Sequence, residues 1–161
     1  MDVIIMDMGD APKGESNLDG FKDKMELLSF SHGVAMQITG DISNSERTSG
    51  KPNHQDLTVT KYLDAASPVL NQSCCEGKAF PKVDIIIGRN DSGKVIELVR
   101  YSMQNALISS VSVGGGGGDK PVETLTLNYN QISWNFTSQM AETGKKGNVP
   151  GMWNLSTNKA E

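Results

Sequence analysis

Long apolar runs and a basic N-terminus are both missing from this 161-residue chain. No stretch approaches the roughly 20 apolar residues that a transmembrane helix needs, so we expect no membrane insertion. Asp2 and Asp7 lie where a signal peptide would carry basic charge and then a longer apolar core. The sequence therefore predicts a protein without a signal peptide that starts in the cytoplasm and leaves it, if at all, by a route that reads none.

An excess of basic charge is also absent. The 15 Lys and Arg residues are outnumbered by 19 Asp and Glu residues, which gives a formal net charge of −4. Lys145 and Lys146 form the only adjacent basic pair, which is too small a patch to follow a phosphate backbone. This balance argues against nucleic acid as a partner.

The residue types of catalytic and metal chemistry are scarce. His32 and His54 are the only histidines, and the two cysteines, Cys74 and Cys75, are adjacent, so these four match no zinc-site spacing. No serine lies in a Gly-x-Ser-x-Gly motif, and the acidic residues are scattered along the chain. We therefore expect no catalytic residue, no metal ion and no cofactor, and a hydrolase is only a distant third interpretation.

Five consecutive glycines, Gly114 to Gly118, join two arms in which apolar and polar residues alternate. Alternation with a period of two predicts two strands, each with one buried face. In the first arm the apolar positions are odd: Val95, Val99, Tyr101, Met103, Leu107, Val111 and Val113. In the second arm they change from odd, at Leu125, Leu127 and Tyr129, to even, at Ile132, Trp134 and Phe136. A regular strand cannot change its buried face without an extra residue, so a β-bulge or barrel corner is expected near Asn130 and Gln131.

The remaining segments predict a mainly β fold in a single domain, residues 1–161. Short alternating stretches indicate further strands, and residues 39–53 are predicted to be a long exposed polar loop. One short helix is expected at about residues 67–76, with Ser67 as N-cap, Pro68 in the first turn and Gly77 as the stop. We expect a compact β-barrel or two packed antiparallel sheets with this helix at the side.

The order of several unusual segments is similar to that of a known family. They are Lys13 to Ser16, Leu27 to Gly33, Gln55 to Asp64, Ser67 to Leu70, Cys74 to Lys78, Leu107 to Ser112 and Leu125 to Tyr129. The chain resembles the Hcp family, the haemolysin-coregulated proteins that form the inner tube of the bacterial type VI secretion system. The resemblance covers nearly the whole chain.

The resemblance implies a non-enzymatic structural subunit. Family members are small β-barrels that assemble into homo-hexameric rings, which stack into a tube. A contractile sheath propels the tube, which carries a spike protein at its tip and is shed into the medium or a target cell. Small effectors bind inside the ring, which chaperones them. An appended toxin domain is not expected here, because the chain ends soon after the predicted barrel.

The same resemblance implies two sets of functional residues. Ser31 falls at a position whose family counterpart faces the lumen, so it is the candidate effector contact. The polar loop corresponds in place to the family's extended loop, which contributes to contacts between subunits or rings. Its candidate assembly residues are Asp41, Ser45, Glu46, Arg47 and Lys51. The alternative function is a monomeric β-sandwich that binds a carbohydrate or protein, with Trp153 and this loop forming the site.

Overall fold

The computed structural model describes residues 2–40, 43, 47–48, 50–140 and 144–161. Its strands are β1 (Asp2–Asp7), β2 (Met25–Glu26), β3 (Ser29–Ser31), β4 (Val34–Ala35), β5 (Asn53–His54), β6 (Leu57–Tyr62), β7 (Ala79–Asp91), β8 (Lys94–Gly114), β9 (Val122–Asn128), β10 (Gln131–Met140) and β11 (Gly144–Asn154), with helix α1 at Ser67–Glu76. The predictions of a mainly β fold and of a short helix at residues 67–76 are confirmed.

Two antiparallel sheets organise the described strands. The large sheet has the order β2-β1-β7-β8-β9-β6-β3, and β10 also pairs with β8 and carries β11 at its far edge. The small sheet is the pair β4–β5. The two sheets were expected, but within the described residues the ladder does not close into a barrel, since its ends, β2 and β3, are not paired with each other.

A single extended segment nevertheless links the two ends of this sheet. The backbone N–H of Leu27 donates to the carbonyl of Ile4 in β1 at 2.8 Å, and that of Leu28 donates to the carbonyl of Thr60 in β6 at 2.7 Å. Consecutive residues thus bond to strands at opposite ends of the path. The sheet curls around its core, and the segment that contains β2 and β3 spans the gap.

The long strand β8 changes its buried face at Asn105. Met103 is buried on the odd side, whereas Ala106 and Ile108 are buried on the even side, and Asn105 between them has a positive φ of 50°. The left-handed conformation reverses the alternation, and Asn tolerates it better than most residues. The prediction that odd positions face the core along the whole first arm is therefore wrong from Asn105 to the register shift at Ile108 and Ser110, beyond which Val111 packs against the core again.

The opposing strands reverse at the same level, as predicted for the second arm. Tyr129 is buried on the odd side and Ile132 on the even side, and the chain leaves strand geometry between β9 and β10. There the backbone N–H of Asn130 donates to the carbonyl of Gln104 at 3.1 Å. Because both partners change face together, apolar side chains continue to meet across the ladder on either side of the reversal.

Helix α1 is attached to the core by its apolar residues and by its first turn. Ala66 and Leu70 are fully buried in the main hydrophobic cluster. Gly77 ends the helix in the left-handed conformation, with φ of 63°, as predicted. Ser67 was predicted as the N-cap but is the first helical residue; Ala66 is the N-cap, and the Ser67 hydroxyl contacts a buried ionic network.

That network centres on Lys61, which is fully buried on the core side of β6. Its ammonium lies 2.8 Å from Glu123 Oε2, directly across the ladder in β9, and 2.9 Å from Asp64 Oδ1. The Ser67 hydroxyl donates to Glu123 Oε2 at 2.8 Å. Two strands and the start of the helix are thereby joined through a fully buried pair, Lys61 and Glu123.

Breaking this network on one side is expected to destabilise the fold strongly. Glu123→Leu leaves a buried ammonium without its main partner, and we expect it to lower the free energy of unfolding by about 3–5 kcal/mol. The double variant Lys61→Met with Glu123→Leu should lose clearly less than the sum of the two single changes, because it leaves no unpaired ammonium. Urea unfolding of the four proteins measures both effects, and additive losses would contradict the buried pair.

Candidate functional site

The outer side of β3, β6, β9 and β8 carries a regular array of hydroxyl groups, here called the hydroxyl face. The register aligns two rows across these strands: Ser31, Thr58, Thr126 and Ser110, and then Ser29, Thr60, Thr124 and Ser112. Alternate residues of β6 and β9, such as Leu57 and Leu125, are buried in the core. Since successive side chains of a strand point to opposite sides, the hydroxyl rows point away from the core.

Ser31 lies at one edge of this face. It is exposed, it pairs with Thr58, and β3 is the last strand of the sheet path. Phe30, its neighbour in the chain, packs against the core instead. The structure thus places the predicted effector contact at the end of a row of hydroxyls, a context that the sequence pattern did not reveal.

Hydrogen bonds fix the hydroxyls at the β8 end of the face. A register shift between Ile108 and Ser110 brings two serines to one threonine: Thr126 Oγ1 lies 2.7 Å from Ser109 Oγ and 2.6 Å from Ser110 Oγ. The Ser109 hydroxyl also contacts Asp56 Oδ2 at 2.6 Å, and Asn128 Nδ2 donates to Asp56 Oδ1 at 2.9 Å. Both oxygens of this carboxylate are therefore occupied by the protein's own donors.

The chemistry of the hydroxyl face is that of neutral hydrogen bonding. Its two rows consist of serine and threonine, which both donate and accept, and they carry no formal charge. Such groups can exchange water for varied polar partners without the large desolvation cost of an ion. The face suits wet, adaptable contacts better than tight recognition of one charged ligand.

A second polar group, the histidine–tyrosine cluster, lies at the root of the small sheet. His32 Nε2 is 2.5 Å from Tyr129 Oη, and the Tyr129 hydroxyl donates to the backbone carbonyl of Gln55 at 3.0 Å. His54 Nδ1 lies 3.4 Å from the same hydroxyl oxygen. The His54 ring is nearly parallel to that of Trp134, at 14° with 6.3 Å between centroids.

The pKa values in this cluster are shifted by burial. Desolvation lowers the pKa of His32, and positive charge on His54 lowers it further. Desolvation also lowers the pKa of His54 and raises that of Tyr129, on which the charge of Asp56 acts in the same direction. All three groups therefore favour their neutral forms at pH 7.

The segment 34–54, here called the arm, contains β4 and β5 and leaves the body of the protein at this cluster. Arg47 and Lys51, two predicted assembly residues, are exposed on it, whereas Asp41, Ser45 and Glu46 lie outside the described residues. The Arg47 carbonyl accepts the backbone N–H of Thr39 at 2.8 Å.

Three apolar side chains are exposed on the part of the arm that precedes the predicted polar loop. Val34, Met36 and Ile38 have exposed fractions of 48%, 41% and 60%. Val34 and Met36, with Pro52, His54, Trp134 and Trp153, line an open groove of about 230 Å³. This groove is where the alternative binding-module function would have its site.

The groove continues onto the hairpin β10–β11. Ile132 and Trp153 pair at the core end of this hairpin, and Phe136 and Val149 pair further along the same side. Ile132 is fully buried, whereas Phe136 and Val149 are 51% and 65% exposed. The apolar side of the hairpin thus extends beyond the hydrophobic core, and its far end is exposed to solvent.

Other kinds of site have little support in the described part of the chain. No three His, Cys, Asp or Glu side chains there are grouped so that they could hold a metal ion. Nor is any helix in those ranges long and apolar enough to cross a membrane.

The class of protein follows from its similarity to known proteins. A family model described as type VI secretion system effector, Hcp, matches residues 5–136. Protein hcp1 of Pseudomonas aeruginosa is 32% identical over 157 residues, which cover 96% of each chain. These matches extend across both sheets and α1, and they define a protein of the type VI secretion system.

Solved structures share the fold over the full length. One structure of a type six secretion system protein is similar with a TM-score of 0.91 and 27% identity, covering 100% of both chains. Hcp1 from Salmonella typhimurium has the same fold, with a TM-score of 0.82 at 22% identity over 99% of each chain. The chain therefore belongs to the Hcp family, as its sequence motifs indicated.

The hydrogen bonds of Thr126 with Ser109 and Ser110 at the register shift of β8 are expected to make a small but measurable contribution to the free energy of unfolding. Thr126→Val keeps the shape of the side chain but removes the group that contacts both serines of β8, so we expect a loss of about 1 kcal/mol in the free energy of unfolding. Thr124→Val, one row away on β9, is the matched control and should change stability by less than half as much. Equal losses in urea unfolding would contradict the role given to these hydrogen bonds.

Proposed function

We propose that this protein is a non-enzymatic structural subunit whose hexameric rings stack into the inner tube of a type VI secretion system and carry small effectors in the lumen. The observation that carries the proposal is the hydroxyl face, a broad sheet surface opposite the core whose two rows carry no formal charge. Family membership over nearly the whole chain supports the assembly.

Ring formation requires two different surfaces on each subunit that fit each other. A head-to-tail contact repeated by rotation closes into a ring when the rotation matches the number of copies. The uncovered apolar side of β10–β11, with Phe136 and Val149, is one such surface, and the arm with Met36 and Ile38 is a neighbouring one. Contact with another subunit would remove these side chains from water.

In the proposed ring, the hydroxyl face lines the lumen and Ser31 contacts the effector. Hydroxyl groups can bind through bridging waters nearly as well as directly, which allows one surface to hold effectors of different sequence. Because the two rows carry no formal charge, retention should depend weakly on salt. The ring shields the bound effector and so acts as its chaperone.

The proposed life of the protein begins in the cytoplasm. The tube is driven by a contractile sheath with a spike protein at its tip, and the subunits then reach the medium or the target cell. No catalysis is required of this chain at any of these stages.

The oligomeric state tests the proposal most directly. Six copies of the 17.3 kDa chain give about 104 kDa by light scattering, and electron micrographs should show rings with a central hole. Val149→Glu places a charge on the uncovered hairpin side and should lower the measured mass, whereas Asn90→Glu at the exposed end of β7 should not. A monomer at all concentrations would refute the ring and favour the groove-based binding module.

Enlarging Ser31 tests the lumen assignment. Ser31→Gln projects a longer side chain from the hydroxyl face, and we expect less effector to be recovered with intact rings because the contact surface is displaced. Cys75→Gln introduces the same side chain at an exposed position of α1, outside the hydroxyl face, and should leave recovery unchanged. Effector quantified by mass spectrometry on purified rings is the readout; equal amounts in all three proteins would remove Ser31 from the site.

A further inference from the structure

The histidine–tyrosine cluster joins both ends of the arm to one side chain of the large sheet. His32 lies just before β4 and His54 ends β5, and both contact the hydroxyl of Tyr129, which is 97 and 75 positions away in the sequence. We propose that this cluster is an acid-sensitive latch, in which protonation of His32 and His54 releases the arm from the sheet.

The hydrogen bonds of the closed latch are satisfied by neutral histidines. Because the Tyr129 hydroxyl proton is directed to the Gln55 carbonyl, its oxygen accepts, and His32 donates from a protonated Nε2. Neutral His32 can supply that proton with Nδ1 bare. Protonation adds a second N–H and a positive charge inside a half-buried group of rings, where both lose hydration.

The charges that face the cluster do not compensate for this cost. His32 is surrounded by the rings of His54, Tyr101, Tyr129 and Trp134, with centroids 5.8–6.3 Å away. The two imidazoles would both become cations and repel each other. The carboxylate that acts on Tyr129 is Asp56, and its two oxygens already accept hydrogen bonds from Ser109 and Asn128.

The direction of the pH dependence follows from the lowered pKa values of both histidines. The folded protein binds protons more weakly at these sites than the unfolded chain does, whose histidines titrate near 6.5. The stabilising contribution is therefore fully present above pH 6.5 and is lost as the pH falls toward the folded pKa values. Acid weakens the latch.

Opening is expected to be local because the backbone ladder at the described base of the arm is short. β4 and β5 pair only through Val34 with His54 and Ala35 with Asn53. At the root, the backbone N–H of Gln55 donates to the Gly33 carbonyl at 2.9 Å. The large sheet, by contrast, is held by continuous ladders and by the buried Lys61 network, neither of which contains a histidine.

If the proposed ring exists, the latch would couple assembly to pH, a consequence that rests on the proposed function. Val34 and Met36 of the arm line one groove together with Trp134 and Trp153 of the hairpin. Releasing the arm in an acidic compartment would displace apolar contacts between copies, so rings or stacks would come apart and free their cargo there.

Hydrogen exchange on the full chain tests the latch independently of assembly. Between pH 7.5 and pH 5.0, after correction for intrinsic exchange rates, amides of residues 33–36 and 53–55 should lose protection by roughly tenfold or more, while those of β9 stay protected. The double variant His32→Gln with His54→Gln keeps N–H donors that do not titrate, so its arm protection should not depend on pH. The control Asp56→Asn should respond to pH as the wild type does.

Two outcomes would overturn the latch. One is equal arm protection at both pH values in the wild type; the other is imidazole NMR titration of the two histidines at or above 6.5, a measurement that needs no variant to fold. Light scattering at the two pH values then separates the latch from its role in assembly. If the arm opens in acid while the mass of the ring stays constant, the latch is supported and its role in assembly is refuted. A protein that never forms rings yet opens its arm in acid refutes the proposed function alone.

Discussion

A strand that pairs along both edges cannot change its buried face unless its partner changes at the same level, and this constraint shapes the whole molecule. The reversal in β8 at Asn105 is matched by the break at Asn130 between β9 and β10. On one side of that level the sheet presents hydroxyl groups outward; on the other it extends the hairpin β10–β11. The candidate surface for cargo and the candidate surface for neighbouring copies therefore lie on opposite sides of the level marked by Asn105 and Asn130.

Charged groups are also divided between the two sides of the sheet. The buried pair of Lys61 and Glu123 sits on the core side of strands whose outer side is uncharged serine and threonine. A charge network there joins β6, β9 and α1 without placing ions on the outer surface. The titrating groups that respond near neutral pH are instead concentrated at the root of the arm.

Much of the fold could be predicted from local sequence. The glycine-linked hairpin, the helix between Pro68 and Gly77 and the change of face near Asn130 all have signals within a few residues. The reversal at Asn105 has no such signal, because one polar residue among odd positions that are predicted to face the core does not by itself indicate a positive φ. Alternation alone was therefore misleading between Asn105 and the register shift at Ile108 and Ser110.

The candidate surfaces were harder to predict than the fold because they depend on register. Ser31 was placed only through family resemblance, and its row of hydroxyls exists because four strands align in one register. The cluster of His32, His54 and Tyr129 joins residues far apart in sequence, which no spacing rule detects. A buried lysine was likewise unexpected, since its partner is set by cross-strand pairing.

The five glycines have a consequence for how the chain can vary. Gly118 is the one in this run that adopts a positive φ, at 103°, while added Cβ atoms at Gly114, Gly116 and Gly117 would meet nothing within 4 Å. Since the entropy cost of closing a loop grows slowly with length, this tip can be lengthened or rewritten with little effect on either side of the sheet. It is a natural place to display a short peptide tag outside the folded core.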